Sequence, residues 1–279
     1  MSGGREGRPG PGERSGVDGK RVLVTGGSRG LGEQIVRLLA AGGARLATCA
    51  RTPEHLRSLT ASLSAGGHGE YGDGEYGEPF TRALDVTEPE LLERFVDAAA
   101  ERFRGLDGVV ACAGGARGRG IEDAGPQDWS LTWEMNVGHT ARLVKAAVPH
   151  LRRAGGGSVV VIASISGWKP GPQAQYGAAK AAQIHLAASL ARELGPDGIR
   201  VNAVSPGSML IPGKRWDRMR TEEPEAYARF TAELPRGELV TPREVAQVVA
   251  FLLSDASSGV SGAHLPVDRA QNAPTPGGY

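Results

Sequence analysis

A chain of 279 residues with 40% apolar and 23% charged side chains has an ordinary globular composition and enough apolar surface for one core. Its formal net charge of +1 creates no field that would gather nucleic acid or an anionic membrane, so neither is expected as a partner. No run reaches membrane-spanning length, no apolar leader opens the chain, and Cys49 and Cys112 lack metal or disulfide spacing, so a cytoplasmic protein with reduced core thiols is expected.

Residues 1–16 (MSGGREGRPGPGERSG) have no hydrophobic period and read as a disordered tail. From Lys20 a short apolar run, a turn and a helical pattern repeat. Strands are predicted at Arg21–Thr25, Arg45–Ala50, Phe80–Asp85, Gly108–Ala113, Ser158–Ala163, Arg200–Val204 and Ala263–Val267. Alternating strands and helices imply an α/β fold, a single doubly wound parallel sheet flanked by helices over residues 17–270, with 271–279 as a C-terminal tail. Residues 64–79 are glycine-rich and read as an extended surface loop. A metal site there, on His68, Glu70, Asp73 and Glu75, would require ordering free glycine-rich chain, and none is expected.

The stretch TGGSRGLG, Thr25 to Gly32, follows the first strand and opens the first helix. Gly26, Gly30 and Gly32 fall where backbone must turn sharply and approach a ligand. Ser28, Leu31 and the helix N-terminus would face a pyrophosphate there. An acidic residue about 20 positions beyond such a turn takes the ribose hydroxyls of NAD, whereas an arginine accommodates the phosphate of NADP. The second strand ends Cys49-Ala50-Arg51, and Arg29 can converge with Arg51, so NADP(H) is the expected cofactor.

In QYGAAKAAQIHLAASLARELG, Tyr176 and Lys180 stand four apart on one helical face, where an ammonium would lower the phenol below its usual value of about 10. Upstream, VVVIASISG is an apolar strand that delivers Ser164 to the same sheet edge. Ser166 fits less well and reads as structural.

With these motifs in order, the chain resembles the short-chain dehydrogenase/reductase family, in the group similar to bacterial 3-oxoacyl-[acyl-carrier-protein] reductases, over roughly residues 17–268. The resemblance implies a Rossmann fold and a catalytic tetrad of Asn136, Ser164, Tyr176 and Lys180. It implies cofactor contacts from Thr25, Gly26, Gly30 and Gly32 of a TGxxxGxG turn, from Asp85 and Val86 at adenine, and from Ala113, Gly114, Pro206 and Gly207. Tyr176 would protonate a carbonyl oxygen that Ser164 polarises. Lys180 would hold the nicotinamide ribose, and Asn136 would kink its helix and bind a water linking Lys180 to solvent. An NADPH-dependent ketoreductase is the resulting expectation, with an oxidative alcohol dehydrogenase or a non-catalytic NADP-binding protein as alternatives.

Two stretches depart from the family pattern. Ala111-Cys112-Ala113-Gly114 replaces the usual Asn-Asn-Ala-Gly, which puts local rigidity in question, and PVDRAQ replaces the usual Asp-Gly-Gly near the C-terminus. Residues 207–236 would govern the substrate, a small carbonyl compound either free or carrier-bound. Trp216, Met219, Tyr227 and Phe230 either form a lid or simply pack two helices together. Lys214, Arg215, Arg218 and Arg220 either meet an anionic substrate or form a solvated face. The alanine-rich helix after Tyr176 (Ala178, Ala181, Ala182, Ala187, Ala188) suggests pairing into a homodimer or homotetramer.

Overall fold

Strands and helices alternate along the chain as the hydrophobic periods require. The structure, a computed structural model, describes residues 16–65, 78–171 and 173–272. The strands are β1 (Arg21–Thr25), β2 (Arg45–Ala50), β3 (Phe80–Ala83), β4 (Gly108–Ala111), β5 (Gly157–Ile162), β6 (Ile199–Pro206) and β7 (His264–Val267). They form one seven-stranded sheet in the order β3-β2-β1-β4-β5-β6-β7, with every pairing parallel. The order reverses between β1 and β4, which opens a crevice at the C-terminal ends of the strands.

Period-two pleating sorts the strand side chains into two cores. Leu23, Val109, Val159 and Val161 face α3 (Pro89–Phe103), α5 (His139–Arg153) and α6 (Ala174–Leu194). Val22, Val24, Val110 and Val160 face α1 (Gly30–Ala41), α2 (Pro53–Ser64) and α9 (Pro242–Leu253). A parallel sheet covered on both faces needs such continuous valine-rich strands, and β5, GSVVVI, is buried almost throughout. The remaining helices are α4 (Pro126–Trp133), α7 (Arg215–Glu222) and α8 (Pro224–Ala232).

Strand ends depart from expectation where they meet the crevice. β3 stops at Ala83 and β4 at Ala111, because Asp85 and residues 112–114 leave the sheet to form the crevice wall. β6 instead runs on to Pro206, since β7 continues beside it with Pro206 opposite Val267. The domain also extends beyond 270. Gln271 accepts from the Ser208 amide at 2.8 Å and donates to its hydroxyl at 2.9 Å, so Gln271 and Asn272 belong to the fold and not to a tail. The expected N-terminal tail, except Gly16, and most of the 64–79 loop, with His68, Glu70, Asp73 and Glu75, lie outside the described residues.

Gly32 has no room for a side chain, because a Cβ would run into the carbonyl oxygen of Gly26. The Gly32→Ala protein is expected to lose roughly 1–3 kcal/mol by overpacking, read as a lower urea midpoint. An unchanged midpoint would show that the turn relaxes freely.

Candidate active site

The crevice contains a cavity of about 580 Å³ that runs from the glycine turn to the start of α7. Gly26 and Gly30 have φ of +75° and +58°, the left-handed region that glycine enters without strain. Ser28, Arg29, Gly30 and Leu31 line the cavity at the N-terminus of α1, ahead of the first helical bond from the Glu33 amide to Arg29. A helix start with unpaired N–H groups suits a phosphate.

At the far side of the turn, Arg51 follows β2 and sits 3.9 Å from Asp85. Asp85 is held by the amide and hydroxyl of Thr87, at 3.0 and 2.8 Å. Arg29 and Arg51 line the same cavity, together with Val86, Ala113, Gly114 and His55; the last of these was missed from sequence. The missing carboxylate after β2 and the two guanidinium groups fit a nucleotide bearing an extra phosphate.

Thr25 ties down the chain that follows β4. Its buried hydroxyl oxygen accepts from the amides of Cys112 and Ala113, at 3.1 and 3.2 Å, fixing the chain beyond β4. Behind it, His139 lies fully buried with Nε2 3.2 Å from the Thr25 oxygen and Nδ1 3.0 Å from the Met135 carbonyl. A carbonyl only accepts, so Nδ1 carries the proton and Nε2 accepts from Thr25. Burial, with Lys180 nearby, pushes the imidazole down to about 4 and keeps it neutral.

At the opposite end of the cavity Ser164, Tyr176 and Lys180 line the wall, with Asn136 buried behind Gly114. Ser164, extended just after β5, accepts from the Ser166 amide at 3.1 Å, and its hydroxyl lies close enough to Tyr176 to draw the phenol downward. Ser166, expected to be structural, contributes that backbone amide and also lines the cavity. Tyr176 and Lys180 share the first turns of α6, with the ammonium 5.5 Å from the centre of the phenol ring.

The phenol does not behave as the spacing alone predicts. Burial raises Tyr176 above its usual value more than Ser164 lowers it. Lys180 is itself pushed down to about 8 by burial. The ammonium donates at 2.8 Å to the Ile162 carbonyl and at 2.8 Å to Gln183 Oε1, and not to the phenol.

Asn136 is buried in a π-helical turn (Glu134–Gly138) inserted between α4 and α5, which is the distortion expected of it. Its amide donates to the carbonyls of Gly115 and Thr132, both at 2.7 Å. Its main-chain carbonyl accepts from Gln183 at 3.1 Å and from Thr140 at 2.7 Å. The Gln183 side chain thus lies between this carbonyl and the Lys180 ammonium. Gly114 completes the enclosure, since a Cβ there would sit 2.7 Å from Asn136 Oδ1 and 3.3 Å from the Lys180 nitrogen.

Cys49 is buried in the core and Cys112 is half-buried, and both border the cavity; burial pushes both thiols up to about 12. Among the described residues no cluster of His, Cys, Asp and Glu is suited to a metal, and no helix is long and apolar enough to cross a membrane.

Pro206, Gly207, Ser208, Met209, Ile211, Lys214, Arg215 and Trp216 form the remaining wall. Trp216 stacks on Phe230, centroids 4.0 Å apart and planes 14° from parallel, so these rings join α7 to α8. Arg220 pairs with Asp217 at 2.8 Å on the exposed face. Gly213 and Gly237, both at φ +68°, bracket the two helices with open space around them.

A family model described as enoyl-(acyl carrier protein) reductase matches residues 26–269. Isoepoxydon dehydrogenase of Penicillium expansum is 34% identical over 256 residues, 91% of this chain and 95% of that protein. 3-Oxoacyl-[acyl-carrier-protein] reductase of Escherichia coli strain K12 is 32% identical over 252 residues, 90% of this chain and 96% of that protein. The crystal structure of L-sorbose reductase from Gluconobacter frateurii, complexed with NADPH and L-sorbose, superposes with a TM-score of 0.84 at 28% identity, covering 94% of this chain and 100% of that one.

The neutral His139 makes stability depend on pH. Its folded value lies near 4, below the ordinary 6.5, so the unfolded chain takes up its proton first as pH falls. The stability contributed is complete above pH 6.5, declines on acidification and levels off below about 4. His139→Gln is expected to remove that part of the decline, read from urea midpoints of both proteins across this range. Parallel curves would mean that His139 is not held neutral.

Proposed function

The chain belongs to the short-chain dehydrogenase/reductase family of oxidoreductases, and we propose that within it this protein is an NADPH-dependent ketoreductase that converts a substrate carbonyl to a secondary alcohol. The observation that carries this reading is the convergence of the Ser164 and Tyr176 hydroxyls and the Lys180 ammonium at one end of a cavity whose other end holds Arg29 and Arg51.

The residues present fit a nicotinamide dinucleotide. Glycine lies where a Cβ would strike backbone or Lys180, the start of α1 faces the cavity, and two arginines line it, which supports a nucleotide with a 2′-phosphate. When bound, NADPH supplies the hydride. Ser164 donates a hydrogen bond to the substrate carbonyl and orients it. Tyr176, kept protonated by burial, gives its proton to that oxygen as negative charge develops there. Lys180, an ammonium at neutral pH, holds the ribose and favours the phenolate that remains. Asn136 holds the π turn in place through its two carbonyl bonds.

Met209, Ile211 and Trp216 give the substrate wall an apolar side, with Lys214 and Arg215 beside it, which suits a small ketone carried free or on an acidic carrier. Residues 207–236 act as the substrate cover. Ala178, Ala181 and Ala188 are exposed along α6 and offer a small-residue face for pairing with further copies.

The test is consumption of NADPH and of NADH across β-ketoacyl thioesters, cyclic diketones and aromatic polyketide-like ketones. Turnover is expected with NADPH and is expected to fall by roughly 10²- to 10⁴-fold in Tyr176→Phe. Undiminished turnover in that variant would reject the mechanism, and tight NADPH binding without any turnover would favour a non-catalytic role. The Arg29→Ala, Arg51→Ala double variant should lose roughly 10- to 100-fold in kcat/KM for NADPH while NADH is little affected. An unchanged preference would mean that these arginines do not read the phosphate.

A further inference from the structure

We infer that Gln183 is a positioning residue for Lys180, its side-chain amide making the internal link between the buried ammonium and the π-turn carbonyl of Asn136. This rests on the reading of Lys180 given above. Gln183 and Lys180 are one turn apart on the same face of α6, and both are buried, Gln183 completely. Gln183 Oε1 lies 2.8 Å from the Lys180 nitrogen, while Nε2 lies 2.9 Å from the Thr140 hydroxyl and 3.1 Å from the Asn136 carbonyl.

The amide has only one workable orientation. An ammonium can only donate, so the oxygen must face Lys180, and the NH₂ must then face the carbonyl. The Thr140 hydroxyl donates to that same carbonyl at 2.7 Å, so it accepts Nε2–H with its free lone pairs. Both ends of the Gln183 amide and the Thr140 hydroxyl are thereby satisfied by protein groups alone.

Two consequences follow. Gln183 supplies one of the two acceptors that hold the charged form of a lysine lying in low dielectric, the Ile162 carbonyl being the other. The third N–H of the ammonium is left for the cavity side, where the proposed ribose contact lies. The amide also transmits position but not protons, because it would have to accept on oxygen and release from nitrogen. Proton resupply to Tyr176 therefore enters from the cavity and not through the π turn.

The distinguishing test sets two kinds of substitution against each other. Gln183→Met and Gln183→Leu keep most of the volume but remove the acceptor. Gln183→Ala opens a space bounded by the Lys180 ammonium, the Asn136 carbonyl and the Thr140 hydroxyl, enough polar partners for one buried water. The Lys180 side chain is followed by NMR of lysine-labelled protein without cofactor, its signal assigned by Lys180→Met, alongside the pH dependence of kcat for a ketone reduced in the panel.

The Met and Leu proteins should titrate Lys180 roughly one pH unit lower than wild type, with the alkaline limb of kcat moving down by the same amount. Gln183→Ala should shift both by less, although it removes more packing and lowers the thermal midpoint more. A purely structural side chain would give the reverse order, with Ala worst in every readout, and that order would overturn the inference. So would a Lys180 titration unchanged in the Met and Leu proteins. A Lys180 titration that moves while the kcat profile stays fixed would leave Gln183 in place and overturn instead the role given to Lys180 in catalysis.

Discussion

A buried ammonium is the constraint around which this site is arranged. Lys180 is 3% exposed, and an unpaired charge in such a place is strongly unfavourable. Its acceptors come from two directions: the Ile162 carbonyl where β5 ends, and Gln183 one turn further along α6. Gln183 in turn leans on the π turn that carries Asn136, and Gly114 leaves the remaining space open by having no side chain. Moving any of these segments would strip a donor or acceptor from the others. The strands must therefore end where they do, since β4 gives up its last residues to become the wall beside the lysine.

The balance of effects on Tyr176 follows from the same burial. Spacing on a helix suggests an ammonium–phenol partnership, and the two side chains are indeed neighbours. Enclosure works against charge on both, however, raising the phenol and lowering the lysine. The arrangement favours a protonated phenol beside an amine held by two carbonyl oxygens.

Local signals made much of this legible. The glycine turn, the valine-rich strands and the Tyr-x-x-x-Lys face are short-range patterns, each with one physical meaning, and each landed within a residue or two of its predicted place. What stayed hidden depends on partners distant in sequence. Thr25 and His139 are 114 positions apart, and nothing near His139 announces that it braces the hydroxyl on which two crevice amides rest. Ala111 and Cys112 put the rigidity of this stretch in question because the bonds that fix it come from another strand and another helix. Gln183 was equally invisible, as a polar residue on an alanine-rich helix reads as solvent-facing until the π turn is brought against it. The C-terminal boundary was misjudged for a related reason: Gln271 is fixed by Ser208, far back along the chain.

The stacked Trp216 and Phe230 have a mechanical consequence. Two short helices clasped by an aromatic pair resist bending between themselves, so α7 and α8 behave as one plate. Deformation is passed to the ends of the plate, where Gly213 and Gly237 stand in open space and can absorb backbone rotation at little steric cost. The contour that α7 contributes to the cavity wall is therefore fixed by the stack more than by the segments at its ends. Shape and freedom are thus lodged in different places, the first in the side chains of α7 and the second in two glycines beside which a side chain would meet nothing.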